Sequence, residues 1–560
     1  MSSGAAGSEK ALLFGHPKGL FVLFFAEMWE RFSYYGMRAI LVLFLTAKIS
    51  ETAQSGMGWD NAAALSLYGW YTMMVYVMSI PGGIFADRVL GAKKAVMVGG
   101  LLLCAGHGIL AVDAEWAFFL GLALIVLGVG ALTPNISTMV GGLYPPGDIR
   151  RDKGFTIFYI GINVGALLAS ITVAAVAAEY GWHAGFGLAG IGMLLGQIVY
   201  MGGQKHLLGI GDYTPPKKEA DSDKEAPLTS IEKDRIKVML IAFLIIIVFW
   251  GAFEQAGGLL NIYAQEKIDR MLFGWEVPAG MFQGVNSFFI ITLGTAVAAF
   301  WANQALRKKE SSTLFKMAIG TIIMGLGFLM MAVASQEAGP TGKASMIWLI
   351  LAYLLHTIGE LCASPTALSF VTKLAPAKYA SLMMGAFFAA TGFGNKLAGS
   401  IGEASQSEPI EVVAQVDQLK NSAIKDSLSQ GGEQYIFDIA TAKKGDGYVL
   451  EHEPTNFKFT DQVTLKGEES REKLMDAYED YQTQATPRLT GYIKFDKVED
   501  ANTPTYNGTM VLDHVQSEQE FNTFLSITVM TALFGLLLIA FLKQLKKLTH
   551  GAEDVREGAP

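Results

Sequence analysis

The chain has 560 residues, of which 51% are hydrophobic and 17% charged, with a mean hydropathy of +0.34 and a formal net charge of −8. The charged share lies well below the roughly 25% of soluble domains, which excludes an ordinary soluble globule and points to lipid as the main solvent. The sequence holds no metal-spaced His/Cys cluster, nucleophile motif or phosphate loop, so no enzyme, cofactor, metal or nucleic-acid partner is expected.

Apolar runs of about 20 residues are long enough to cross a bilayer as helices. Twelve are expected, near 19–46, 62–86, 94–112, 116–141, 154–178, 183–203, 236–262, 280–303, 313–336, 345–372, 380–402 and 522–546. The N-terminus lacks the basic, apolar, small-residue layout of a cleaved signal peptide, so the first span is expected to stay. Cys104 and Cys362 both fall inside spans and imply no disulfide framework. Lys10, Lys18, Arg88, Lys93, Lys94, Arg150, Arg151, Lys153, Arg307, Lys309, Lys373, Lys378, Lys543, Lys546 and Lys547 all fall on one side. The opposite short loops carry little beyond Lys48, Lys267, Arg270 and Lys343. This bias places both termini in the cytoplasm and supports an even number of spans.

Six spans precede a polar stretch, "GDYTPPKKEADSDKEAPLTSIEKD", that reads as a linker by its prolines and mixed charge. The expected organisation is an N-terminal six-helix bundle over 1–204, a cytoplasmic linker over 205–235, and helices 7–11 over 236–402. A soluble insertion follows over 403–519, then helix 12 and a tail over 520–560. Two bundles with a site at mid-membrane between them suit a transporter. The insertion holds 11 basic and 22 acidic residues, a net of −11, which leaves about +3 on the rest of the chain. "GYVLEHE", "FKFTDQVTLK" and "TMVLDHV" alternate as strands do, and "EESREKLMDAYEDYQ" reads as a helix. The fold class is therefore an all-α membrane protein of twelve transmembrane helices in two six-helix bundles. A small α+β extracytoplasmic insertion lies between helices 11 and 12.

The first span contains "EMWERFSYYGMR". At about 100° per residue, Glu30, Arg31, Tyr34, Tyr35 and Arg38 fall within about 80° of Glu27, on one face. Ionisable groups facing lipid are costly, so this face must line protein or a watery cavity. Glu27 and Arg31 are four apart and can neutralise one another. Arg38 lies about 10 Å further along and has no local acid, which leaves it free to hold an anion from outside the helix. Later spans add Glu254 in "FWGAFEQAGG" and, on one face, His356, Glu360 and Ser364. A carboxylate in a low-dielectric cavity can take up a proton. Bases from the first half and acids from the second would suit a zwitterion such as a short peptide.

"EMWERFSYYG" resembles the E-x-x-E-R-F-x-Y-Y-G signature of the proton-dependent oligopeptide transporters. "FYIGINVGAL" is similar to that family's fifth-helix signature, and "FWGAFEQ" and "GELCASP" to its seventh- and tenth-helix motifs. "GGIFADRVLGAKK" resembles the loop signature of the wider major facilitator superfamily. The resemblance implies the major facilitator fold, with di- and tripeptides imported together with protons across the cell membrane. It implies Arg38 with Tyr35 at the peptide carboxylate, Asn163 and Tyr76 on the peptide backbone, and Glu360 at the amine. Glu27, Glu30, Arg31 and Glu254 would form the proton-coupling set. Tyr34, Trp250, Asn286, Ser364 and Phe387 are further pocket members by the same resemblance.

The family commonly has a lysine before the fourth-helix proline, where "GVGALTPNIST" places Thr133. Threonine carries no charge, so Arg31 and Arg38 must supply the positive field alone. Thr133 keeps open a relative carrying another solute, such as a modified amino acid, a peptide-like drug or nitrate. A non-transporting sensor using 403–519 is the reading from another class, and any partner of that segment is unknown. Lys396, near the outer end of the eleventh span, reads as a snorkelling residue or a gate.

Overall fold

The computed structural model describes residues 12–47, 52–145, 148, 150–207, 209–213, 228–341, 343–376, 379–407, 410–415, 434–444, 447–452, 463–467, 469–470, 472–474, 488–497 and 505–552. Residues 208 and 214–227 of the expected linker therefore lie outside the described residues, as does much of the helix expected within the insertion.

In chain order the long helices are α1 (Lys18–Thr46), α2 (Asn61–Leu90), α3 (Ala92–Leu110), α4 (Glu115–Gly142), α5 (Arg150–Tyr180) and α6 (Trp182–Gly203). They continue as α7 (Ser230–Lys267), α8 (Ala279–Leu306), α9 (Thr313–Thr341), α10 (Met346–Leu374), α11 (Ala380–Ala404) and α12 (Asp513–Ala540), with a short α13 (Leu542–Leu548). Ten of them, all but α1, α11 and α13, are long and apolar enough to cross a membrane. Glu27, Glu30, Arg31 and Arg38 lower the hydropathy of α1, and Asn395 and Lys396 that of α11.

Local chemistry sets several ends. Asp60 caps α2 by accepting from the Ala63 amide, and Thr229 with Glu232 forms a capping box at the start of α7. Near its far end α7 loosens into a tight turn at Glu254–Ala256, ahead of Gly257 and Gly258. Glu254 thus sits at a break in the helix. Pro134 lies inside α4 and lacks the N–H that would serve the Gly130 carbonyl. The last helix begins at Asp513, earlier than the expected 522, because the polar run before the apolar window is helical too.

The helices pack in two groups. In the first, α1 lies against α5 and α6, and α3 against α4 and α6. In the second, α9 lies against α10 and α12, and α7 against α11. The groups meet along two seams, α2 with α11 and α5 with α8. At the first seam the backbones nearly touch: a Cβ on Gly69 would lie 2.8 Å from Gly399 Cα, so only glycine fits. Beside it the Lys396 ammonium stands 4.9 Å from the ring centre of Trp70.

The insertion forms a six-stranded antiparallel sheet. Its strands are β1 (Ile410–Gln415), β2 (Gln434–Lys444), β3 (Gly447–His452), β4 (Val463–Leu465), β5 (Arg488–Lys497) and β6 (Thr505–Leu512), in the spatial order β4-β1-β6-β5-β2-β3. The register pairs Gly491 with Leu512 and Met510 with Ile410. β6 runs directly into α12. Gln516 accepts from the Ser407 hydroxyl at 2.8 Å, and Gln519 donates to the Ala404 carbonyl at 3.1 Å. These bonds tie the end of α11 to the first turns of α12, where the sheet's first and last strands join the helices.

Candidate functional site

A helix as apolar as α1 can bury charge only if each charge finds a partner, and its charged face does so within its own helix and beyond it. Arg31 Nε lies 3.1 Å from Glu27 Oε1 and also contacts Glu30, and all three side chains are buried. Arg31 Nη2 donates to Thr133 Oγ1 on α4 at 2.9 Å. Thr133, the uncharged residue in the fourth helix, thus joins the cluster as an acceptor.

Arg38, expected to be free for an outside anion, is already engaged. Its Nη1 donates to both carboxylate oxygens of Glu254 on α7, at 3.1 and 3.0 Å. Its Nε donates to Gln283 on α8 at 3.4 Å, and its guanidinium carbon lies 5.0 Å from the Tyr35 ring centre. Tyr68 on α2 donates to Glu254 at 2.9 Å. A guanidinium this deeply buried requires a counter-charge, and with Glu27 and Glu30 of its own helix engaged by Arg31 it takes one from the other bundle. The residues around this pair also cross between bundles. Asn261 donates to the Ala39 carbonyl at 2.8 Å, Asn395 to the Thr72 carbonyl at 3.4 Å, and Asn61 to Glu266 at 3.2 Å. The end of the molecule that carries the β-sheet is therefore sealed by polar contacts and the glycine seam.

Behind this seal lies a cavity of about 240 Å3, at the small end of ligand cavities. Glu27, Arg31, Tyr35 and Arg38 line it from α1, with Tyr76, Thr133 and Asn163 from the same bundle. From the other bundle come Trp250, Glu254, Asn286, Glu360 and Ser364. Glu360 accepts from the Asn286 amide at 3.0 Å, and no ion pair to it is found among the described residues. The cavity wall thus carries guanidinium on one bundle and a carboxylate free of a cation on the other.

The sequence-derived site residues divide accordingly. Glu30 and Tyr34 are buried but lie off the cavity wall, Tyr34 beside the Arg31 guanidinium at 5.6 Å. Phe387 packs in the apolar core of the second bundle with Phe243 and Phe370. His356 reaches the wall, but its ring lies tilted against Phe328 with centroids 4.6 Å apart and abuts Gly327. It serves packing between α9 and α10. Sequence reasoning missed Tyr68, which shares a helical face with Tyr76, eight residues on. It also missed Gln283, which has no periodic signal at a helix start, and the cavity residues Tyr159 and Tyr353.

The sequence model of the POT family matches residues 93–215 and 227–416. The chain is 38% identical over 427 residues to the uncharacterized transporter YclF of Bacillus subtilis, covering 67% of this chain and 85% of that one. It is 34% identical to the peptide transporter YePEPT of Yersinia enterocolitica, covering 71% of this chain and 90% of that one. Among solved structures, a mutant of peptide transporter POT in complex with alafosfalin superposes with a TM-score of 0.71 at 29% identity, over 96% of each chain. A POT family transporter in complex with 5-aminolevulinic acid gives a TM-score of 0.65 at 32% identity, over 70% of this chain and 91% of that one.

Proposed function

The chain belongs to the POT family, and from that premise we propose that it is a proton-coupled symporter importing di- and tripeptides across the cell membrane by alternating access. In this reading α1 and α11 also span the bilayer, giving twelve spans. Both termini are cytoplasmic and residues 403–519 extracytoplasmic. The sealed end then faces outward, and the cavity belongs to an inward-facing state.

The observation that carries the reading is a charge imbalance around a cavity built by both bundles. Glu27, Glu254 and Glu360 on the wall, with Glu30 behind it, are four carboxylates set against two guanidiniums, Arg31 and Arg38. Fully ionised, this set would be two charges short of neutral in a low-dielectric site, which is costly. Protons are the smallest countercharge, and the amine of a peptide beside Glu360 is another. Neutralising Glu254 from outside would also release Arg38 and with it the seal. Proton entry, opening and liberation of a guanidinium for the peptide carboxylate are then one event. Peptide binding shifts the states only through its different affinity for each, and bridging Arg38 to Glu360 supplies that difference.

YePEPT and the relatives named di-/tripeptide transporters in Lactococcus lactis support peptide as the substrate class. The bound 5-aminolevulinic acid of one neighbour favours a second reading, a carrier of a small amino acid-like zwitterion. Counterflow uptake of labelled dialanine into proteoliposomes, with and without an inward pH gradient, separates these. Saturable, gradient-stimulated uptake is expected. Absence of peptide competition would turn the assignment to the second solute class, and indifference to the gradient would remove the coupling roles.

A further inference from the structure

Two β-hairpins at opposite ends of the molecule share a construction that transport does not use. The first precedes α1 and pairs Leu12–Leu13 with His16–Pro17 across Phe14 and Gly15. The second joins α7 to α8 and pairs Met271–Leu272 with Trp275–Glu276 across Phe273 and Gly274. In both, the tripeptide Leu-Phe-Gly makes the turn. Phe14 has φ 49° and Phe273 φ 51°, and the glycines that follow have φ 80° and 84°. A two-residue hairpin turn of this hand needs positive φ at both central positions and ordinarily takes Asn-Gly. A bulky aromatic adopts that conformation reluctantly. Neither phenylalanine is held there by burial, since Phe14 is 86% exposed and Phe273 102%. Phe14 has one edge contact, with the Phe21 ring 6.0 Å away between centres, and is otherwise in the open. A strained, exposed aromatic at two sites calls for an occupant that rewards the ring.

The bases of the hairpins are fixed and their polar groups served from within. Arg150 donates to the Gly15 carbonyl at 3.1 Å, and His16 Nδ1 lies 2.8 Å from the Tyr144 hydroxyl. Arg270 donates to the Val277 carbonyl and to Glu276, both at 2.6 Å. What projects from the second hairpin is apolar: Met271, Leu272 and Trp275 flank Phe273, all exposed. Leu13 does the same beside Phe14. These tips adjoin the helix ends of a chain that spans the membrane, and the exposed Phe288 and Ile291 continue the apolar surface along α8. We infer that the Phe14 and Phe273 hairpins insert their tips into the interfacial layer of the bilayer, one in each leaflet, and anchor the two bundles separately. Each hairpin is built on a different bundle, so each half keeps its own depth while the halves rock. The acidic insertion is a poor alternative cover for the second tip, because residues 271–275 carry no charge and Arg270 at the hairpin's base is already paired with Glu276.

The test is site-directed spin labelling. Phe14→Cys and Phe273→Cys are each placed in a Cys104→Ala, Cys362→Ala chain and reconstituted into phosphatidylcholine vesicles. Collisional accessibility to oxygen and to a water-soluble nickel chelate is then read against a label at exposed Lys308. Both hairpin labels are expected to show an oxygen-to-nickel ratio several-fold above the Lys308→Cys label. A ratio equal to that control would overturn the inference, and so would shielding from both reagents, which would mean that protein covers the tips. As a second arm, Phe14→Asn with Phe273→Asn suits the turn better and keeps the fold. Quenching of a bimane placed at Trp275→Cys in the chain lacking Cys104 and Cys362, by lipids brominated near the headgroup, should fall when that double change is added, and unchanged quenching would count against insertion.

Discussion

Removing the Arg38 side chain tests the seal directly. Arg38 gives Glu254 two bonds of 3.1 and 3.0 Å, and both groups are buried; Tyr68 supplies one more at 2.9 Å. Arg38→Ala leaves the carboxylate buried with the tyrosine as its remaining donor here. Stranding one member of a buried ion pair costs about 3–5 kcal/mol. The penalty falls on the sealed arrangement alone, because opening the end hydrates the carboxylate. At about 1.4 kcal/mol per tenfold, the sealed-to-open ratio falls by roughly two to three orders of magnitude. Glu254→Gln should do less, about 1.5–3 kcal/mol, since Arg38 keeps a neutral acceptor. Removing both partners together should restore much of the closure without restoring transport. The assay is the distance distribution between nitroxides at Ala53→Cys and Glu403→Cys, both exposed at the sealed end, in a chain lacking Cys104 and Cys362. A long-distance population should appear in Arg38→Ala, be smaller in Glu254→Gln and shrink in the double variant. A distribution in Arg38→Ala identical to the parent's would refute the claim that this pair holds the bundles together. Dialanine uptake by Arg38→Ala should be lost while the protein stays folded.

Thr133→Val removes the acceptor of Arg31, a loss of about 1 kcal/mol, and should raise the KM for dialanine about fivefold with kcat little changed; an unaltered KM would detach Thr133 from the site. Glu360→Gln should depress uptake of peptides with a free amine far more than that of N-acetylated peptides, and equal loss for both would move the amine elsewhere. Gly69→Leu, whose Cβ would lie 2.8 Å from Gly399 Cα, should bias the nitroxide distances toward opening and slow uptake while the protein elutes normally in detergent. Deleting 403–519 with a short linker should leave transport largely intact, and loss of uptake in well-inserted protein would assign the sheet a part in the cycle.

The helices were legible because a bilayer imposes a length and an apolarity that a single chain displays without help from its neighbours. The two places where the boundaries moved, the start of α12 and the break near Glu254, are where polar residues continue a helix or glycines interrupt it. The charged face of α1 was legible as a face but not in its use. Tyr34 lies near its centre and Tyr35 at its edge, yet Tyr35 meets the cavity and Tyr34 does not. The cavity occupies the Glu27, Arg31, Tyr35 and Arg38 side of that face and leaves out Glu30 and Tyr34, and a helical wheel does not say which side a neighbour covers. Arg38 was misjudged for a related reason. Its acid is Glu254, 216 residues away, and a search for partners one helical turn apart does not reach it.

In the proposed cycle, that long-range pair would also let the seal be both firm and reversible. A seam closed only by glycines such as Gly69 and Gly399 would hold through backbone contact, which no ligand or proton could adjust. A seam closed only by charge would leave a gap that water could enter and screen. Here close packing excludes water, the low dielectric strengthens Arg38 with Glu254, and the same low dielectric makes either group intolerable once the other is neutralised. In the proposed cycle, neutralising Glu254 would therefore act on far more than one hydrogen bond. It would turn a buried ion pair into a buried guanidinium without a countercharge, to be relieved by opening or by an arriving carboxylate. The glycine seam would then let the bundles close again on whatever has bound.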